Sequence, residues 1–220
     1  MQYAGRIKIT KKGNIMIKIE NVCVLNMDNA IRGARNPMES HAMSDSYVDP
    51  SGKFVLGAAD LALAAKLCRA GSDHRKFIRQ IFVSVDVTAP LYWWKEFDTY
   101  KVGTVANSTS TMHKIHAKPI TTDDFSMDHM VDAAKEHMYS LISYIEELRK
   151  EFVETKDKDL WYSIIQLLPS SYNQLRTCTV NYEVLTNMYF NRKDHKLDEW
   201  RVFTSWVASL PYARELIGCL

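Results

Sequence analysis

Glycine and proline are scarce, eight and six in 220 residues, which excludes long disordered tracts. No charge of one sign dominates: 28 Lys and Arg against 26 Asp and Glu leave a net +2, far from the basic excess of a dedicated nucleic-acid or membrane-surface binder. Any anionic ligand is therefore met locally, and no nucleic-acid polymer is expected. The four cysteines, Cys23, Cys68, Cys178 and Cys219, are too far apart for a zinc or thioredoxin-like motif and fit a reducing cytoplasm. Long apolar runs are missing as well. The most apolar stretch, Phe54 to Leu67, is short and broken by Asp60 and Lys66, and Met1 to Gly13 is basic without an apolar core. The expectation is a cytoplasmic protein with neither a membrane span nor a signal peptide.

What is there reads as one α+β domain over residues 1–220, without repeats or linkers. Ile7, Ile9, Lys11-Lys12-Gly13-Asn14, Ile15, Ile17 and Ile19 predict a hairpin. The polar segment Asp28 to Lys53, with Pro37, Pro50 and Gly52, reads as a long surface loop holding Arg32, Arg35 and His41. Ala58 to Ala70 is an Ala/Leu-rich helix stopped by Gly71. Ile81 to Thr88 alternates strictly, a strand with Ile81, Val83, Val85 and Val87 on one face. Pro90 opens an aromatic helical stretch that leads to the hydroxyl-rich run Thr104 to Thr111. Thr121 or Thr122, with Asp123 and Asp124, caps a long helix whose apolar stripe from Met127 to Phe152 is core. A short helix Leu160 to Leu167, a strand Leu175 to Val180, a helix capped by Asn181 and reaching about Arg192, and a last helix from about Leu197 to Leu210 complete the chain.

No Gly-rich phosphate loop, G-x-S-x-G elbow or H-E-x-x-H occurs, so the common hydrolase and metalloprotease chemistries lack sequence support. His113 and His116, near His129 and His137, lack a third ligand at a defined spacing, and no metal is expected. Two constellations remain. The run from Trp94 to Lys101 presents cations, a carboxylate and a tyrosine beside the hydroxyls and amide of Thr104 to Thr111, which suits phosphate and a heterocycle, or equally a solvated amphipathic helix and a polar loop. Asn181 and Arg192 lie eleven residues apart on one helix side, about 16 Å at ~1.5 Å per residue, a span that suits a dinucleotide-like ligand. Equally, Asn181 is an N-cap and Arg192 a partner for the helix C-terminus.

These segments together resemble the flavin-dependent thymidylate synthases. That family's pattern of L-P, a tyrosine, T-V-N-x-x-x-L and an arginine eleven residues past the asparagine is met by Leu168-Pro169, Tyr172, Thr179-Val180-Asn181, Leu185 and Arg192. Its following H-A-Q-W-E-I-R is partly kept in His195, Glu199 and Arg201. Upstream, ungapped from Pro90, the family's P-x-F-x-x-R-Q-W-x-R-H-R-x-x-S-x-N-E-x-S-x-R frame falls on Pro90, Tyr92, Lys95, Glu96, Phe97, Thr99, Tyr100, Lys101, Thr104, Ala106, Asn107, Thr109 and Thr111. Thr99-Tyr100-Lys101 stand at R-H-R, Thr104 and Thr109 at the two serines, Asn107 at the glutamate and Thr111 at the final arginine. The resemblance spans roughly residues 58–210.

It implies an antiparallel sheet with long helices and a homotetramer with FAD at subunit interfaces. The implied reaction is reductive methylation of dUMP to dTMP with methylenetetrahydrofolate and NADPH as co-substrates. By the same resemblance Thr99, Tyr100, Lys101, Asn107, Asn181 and Asn187 contact the flavin. Lys95, Glu96, Thr99, Asn107, Thr109 and Thr111 serve the nucleotide, and Arg192 polarises the uracil, a role that needs a fixed cation beside a ring developing negative charge. Two of the family's arginines are threonines here and Ile165 replaces a third, so Lys95, Lys101, Lys114, Arg32 or Arg35 would supply phosphate charge. The alternative is a divergent member acting on another pyrimidine nucleotide, for example by hydroxymethylation, or a non-catalytic nucleotide-binding protein.

Overall fold

The alternating stretch at Ile81 to Thr88 forms the centre of an antiparallel sheet in the computed structural model, which describes residues 2–4 and 17–219. The expected hairpin from Ile7 to Ile19 falls mostly outside the described residues. In chain order the elements begin with β1 (Gln2–Ala4), β2 (Lys18–Leu25), α1 (Met27–Ala34), the two-residue strands β3 (Tyr47–Val48) and β4 (Phe54–Val55), and α2 (Ala58–Arg69). There follow β5 (Phe82–Pro90), α3 (Leu91–Phe97), β6 (Thr104–Ser108), α4 (Asp132–Thr155) and α5 (Lys158–Leu167). The chain closes with β7 (Asn173–Asn181), α6 (Tyr182–Arg192), α7 (Asp198–Ala208) and α8 (Ala213–Leu216).

The sheet order is β1-β2-β5-β7-β6, all neighbours antiparallel, and β3 pairs with β4 separately. The period of two in β5 sets its faces. Ile81, Val83, Val85 and Val87 are buried against Trp93, Trp200, Phe203 and Trp206, while Phe82, Ser84, Asp86 and Thr88 point to the other side. On that side Thr177 and Asn21 both donate hydrogen bonds to the Asp86 carboxylate. The indole of Trp93 lies 4.9 Å from Trp94 and 4.8 Å from Trp200, tilted and edge contacts that aromatic rings favour. A second apolar cluster joins Ile142, Ile145 and Leu148 of α4 to Ile164 of α5, with Phe125 and Tyr172.

Three expectations are corrected. The segment read as a long loop, Asp28 to Lys53, holds all but the first residue of α1, two 3-10 turns and strand β3, whose partner β4 directly follows it. The cap at Thr121 is real, a reciprocal box with Asp124, but it closes only the 3-10 turn Thr122–Asp124. Phe125 then turns away to bridge Tyr172, and the long helix begins at Asp132. Met127, Met130 and Val131 of the supposed stripe therefore precede the helix, and Val131 is exposed. The first half of the hydroxyl run is edge strand β6 rather than loop. Among the described residues no helix is long and apolar enough to cross a membrane.

Candidate functional site

Antiparallel register places several chain reversals at one end of the sheet. Phe82 at the start of β5 pairs with Asn181 at the end of β7, and Thr104 at the start of β6 pairs with Val180. Asn181 ends the strand and caps α6: its Oδ1 accepts the N–H of Val184 at 2.9 Å. The turn after α3 runs beside it. Gly103 has φ +78, and a Cβ there would sit 2.7 Å from Asn181 Nδ2, so the absence of a side chain allows the close approach. Next to it the buried Thr104 Oγ1 has no partner.

Eleven residues further along α6, Arg192 meets α3. Its Nη1 donates to Glu96 Oε2 at 2.8 Å and its Nε to the Tyr100 hydroxyl at 3.0 Å. Trp200 Nε1 donates to the same Glu96 oxygen at 2.8 Å, and His195 Nε2 lies 3.3 Å from it. The guanidinium sits 5.0 Å from the Trp200 ring centroid and 5.7 Å from that of Tyr100, cation–π distances. The result is a planar cation fixed by a carboxylate, a phenol and two aromatic faces.

Of the residues expected from sequence, Glu96, Tyr100, Arg192 and His195 are brought together, and Asn181 faces the turn that carries Tyr100. Lys95 and Lys101 are exposed and take no ion-pair partner among the described residues. Thr99 folds back onto the Glu96 carbonyl at 2.7 Å. Asn107 lies along β6 opposite Thr177, on the outer face. Thr109 donates to the Leu175 carbonyl at 3.3 Å. At ~3.3 Å per residue, Thr109 and Thr111 stand some 15 Å or more from Thr104, toward the opposite end of the sheet. Asn187 is exposed on α6, and Ile165 is half-buried on α5.

Arg35 is unavailable to a ligand. Its Nε donates to Asp60 at 2.5 Å, with both side chains buried, and Ser44 and Ser46 complete the carboxylate's partners. Arg32 instead donates to Asn29 and lines two clefts of about 800 and 530 Å³ on either side of α1. The larger cleft lies toward the Asn181 end of the sheet, because Gln80, which lines it, comes just before β5 and its carbonyl accepts the amide of Asn26. Among the described residues no His, Cys, Asp or Glu cluster has the arrangement of a metal site.

Sequence reasoning did not find Trp200 as a wall of this site; Glu199, which it grouped with Arg192 and His195, is buried and accepts the Tyr92 hydroxyl. Burial, and then that carboxylate, push the Tyr92 phenol far above its ordinary range. The one sequence clue to both was the partly kept run His195 to Arg201.

Sheet and helices together define the class of fold: the chain has the fold of the flavin-dependent thymidylate synthases. Two solved structures of Helicobacter pylori flavin-dependent thymidylate synthase ThyX, each determined with FAD and dUMP, superpose on it with a TM-score of 0.66. They are 17% and 16% identical to it, and the match covers 88% of this chain and 94% and 93% of theirs. No protein-family model matches the sequence, and no curated protein matches it significantly. The likeness is one of fold.

Proposed function

We propose that this chain is a cytoplasmic flavoenzyme that methylates dUMP to dTMP with FAD, methylenetetrahydrofolate and NADPH, working as a homotetramer of one domain per chain. The observation that supports this most is Arg192, held in place by Glu96, Tyr100 and Trp200 on a fold shared with ThyX. A fixed, partly desolvated guanidinium stabilises charge that develops on a pyrimidine carbonyl, and its positioning is already made before ligand arrives.

The residues near the Gly103 turn fit a heterocyclic cofactor. Thr104 Oγ1 is a buried hydroxyl in need of a partner, the missing Cβ at Gly103 lets Asn181 pack against the turn that carries Tyr100, and Lys101 offers free positive charge. Bound FAD would contribute hydride chemistry there, with Thr99, Tyr100, Lys101, Asn107, Asn181 and Asn187 as its contacts. Lys95 and Glu96 would line the nucleotide, while Thr109 and Thr111, at the far end of β6, would reach one only from a neighbouring protomer of the proposed homotetramer.

A second reading draws on the site's charge. Arg192 is neutralised by Glu96, Arg35 by Asp60, and Thr99 and Thr111 bring no cation, so a phosphate would have to rely on the exposed Lys95 and Lys101. That favours a different pyrimidine ligand, through hydroxymethylation or binding without turnover. Visible absorption of the native protein with and without FAD, followed by dUMP titration on the flavin band, tests both. A flavin spectrum perturbed by dUMP supports the methylase; a flavin spectrum indifferent to dUMP favours the second reading, and a protein that ignores FAD removes the flavoenzyme.

A further inference from the structure

The Glu96–Arg192 pair has a polarity that bears on which ring it meets, an inference that rests on the flavin and pyrimidine reading above. Two N–H groups converge on a single oxygen, Glu96 Oε2, those of Arg192 and Trp200 at 2.8 Å, and His195 Nε2 lies 3.3 Å from it. The histidine's Nδ1 accepts the Leu197 N–H at 3.2 Å, which leaves the proton of the neutral ring on Nε2, the nitrogen nearer Glu96. Both donors and the neighbouring histidine are themselves fixed. Trp200 is fully buried, Arg192 is tied to Tyr100, and His195 is tied to the backbone.

Oε2 is thus fully engaged, while Glu96 Oε1 and Arg192 Nη2 have no partner among the described residues. Their side chains keep 34% and 20% of their surface exposed, enough to be met by a ligand. The site therefore presents an acceptor-only oxygen next to a donor-only nitrogen. We propose that this couple reads a ring edge: Glu96 Oε1 accepts a ring N–H while Arg192 Nη2 donates to the adjacent carbonyl. The ligand class is a pyrimidine with an imide edge, a uracil-type nucleotide, and Glu96 is a specificity-determining residue.

The two converging donors also dictate what Glu96→Gln does. They require an acceptor at the Oε2 position, so the amide turns its carbonyl inward and places its NH₂ where Oε1 was. An acceptor facing the ligand becomes a donor, which opposes a ring N–H and welcomes an unprotonated ring nitrogen.

The test uses the full chain with FAD and calorimetric titration of dUMP, N3-methyl-dUMP and dCMP, on wild type and Glu96→Gln, with the flavin band as a monitor of the cofactor. Wild type is expected to prefer dUMP over N3-methyl-dUMP by about tenfold or more, as befits one charged hydrogen bond in a partly exposed site. Glu96→Gln is expected to lose about tenfold on dUMP and to move the dUMP to dCMP preference at least as far toward dCMP, with an unchanged flavin band. Equal binding of dUMP and N3-methyl-dUMP by wild type, or an unaltered preference in Glu96→Gln, overturns the ring-edge role and leaves the flavin and pyrimidine reading standing. A wild type that binds none of the three overturns that reading and the ring-edge role with it.

Discussion

Arg192 lies over the indole of Trp200, 5.0 Å from its centroid, and hands one hydrogen bond to the Tyr100 hydroxyl and another to Glu96. Because these partners hold the guanidinium before any ligand is present, Arg192→Ala removes a preorganised charge. Turnover of a pyrimidine nucleotide is expected to fall by about a hundredfold or more, the scale seen when one such donor is lost. The fold should survive at a cost of about 1–2 kcal/mol, since Glu96 is partly exposed and can be rehydrated. Arg192→Lys keeps charge but not the planar fork, and should recover only part of the activity. Steady-state kinetics beside thermal melting separates these effects, and a melting point lowered as far as by a core mutation would make Arg192 a structural residue.

The buried pair Arg35–Asp60 locks the segment from α1 to α2. Arg35→Ala leaves a buried carboxylate with only hydroxyl and amide partners, and is expected to cost about 3–5 kcal/mol. For a chain of this size that is a fall in melting temperature of roughly 10 °C, measurable by calorimetry. Replacing exposed Arg32, which lines the clefts, should leave the melting temperature nearly unchanged.

The same site gives stability a pH dependence. Burial by itself would raise the Asp60 carboxyl, but hydrogen bonds from Ser44, Ser46 and Arg35 outweigh it and hold the group below its ordinary value of 3.8. Arg149 likewise holds Glu146 low. A carboxyl depressed in the folded state adds stability that is complete above its unfolded value and is lost as pH falls through the folded one. Urea midpoints should therefore be flat from neutral pH to about 5 and drop steeply below about 4, and Asp60→Asn should flatten that acid limb.

Legibility in the sequence followed the range of the interactions. The centre of the sheet was readable because Val83, Val85 and Val87 alternate within five residues, and Asn181 because a cap acts on the next turn. Helix α1 was hidden: MDNAIRGA contains Asn29 and Gly33 and is held from afar, by Asn26 on Gln80 and Arg35 on Asp60. Strand β6 looked like a loop because an edge strand with one neighbour needs few apolar residues. At the site, the spacing that joins Asn181 to Arg192 is helical and local. The convergence of Arg192, His195 and Trp200 on Glu96 spans about half the chain and has no local signature.

Thiol reactivity should follow the burial that raises each thiol. Burial pushes the thiols of Cys68 and Cys178 up to about 12 and that of Cys219 to about 11, leaving little thiolate at pH 8. Cys23 pairs with Ser84 in the outward-facing register and is only half-buried. A native-state disulfide-exchange assay is expected to titrate Cys23 first, the other three reacting after denaturation; rapid labelling of Cys178 would mean that β7 opens locally.

Gly103 joins the turn after α3 to β6, and its φ of +78 places it in the left-handed region. Gly103→Ala meets two separate obstacles: the backbone conformation disfavours a side chain by about 1–2 kcal/mol, and the new Cβ would stand 2.7 Å from Asn181 Nδ2. Asn181 cannot retreat without giving up its cap on Val184, worth about 1 kcal/mol more. The cost then divides between the start of α6 and the Tyr100 turn, both of which contribute to the proposed flavin contacts. Gly103→Ala should accordingly weaken FAD binding by about tenfold along with a modest loss of melting temperature, whereas Gly71→Ala, with φ +103 and open space around its Cβ, should lower the melting temperature and leave flavin affinity intact. Equal flavin affinity in both variants would place the cofactor away from the Gly103 turn.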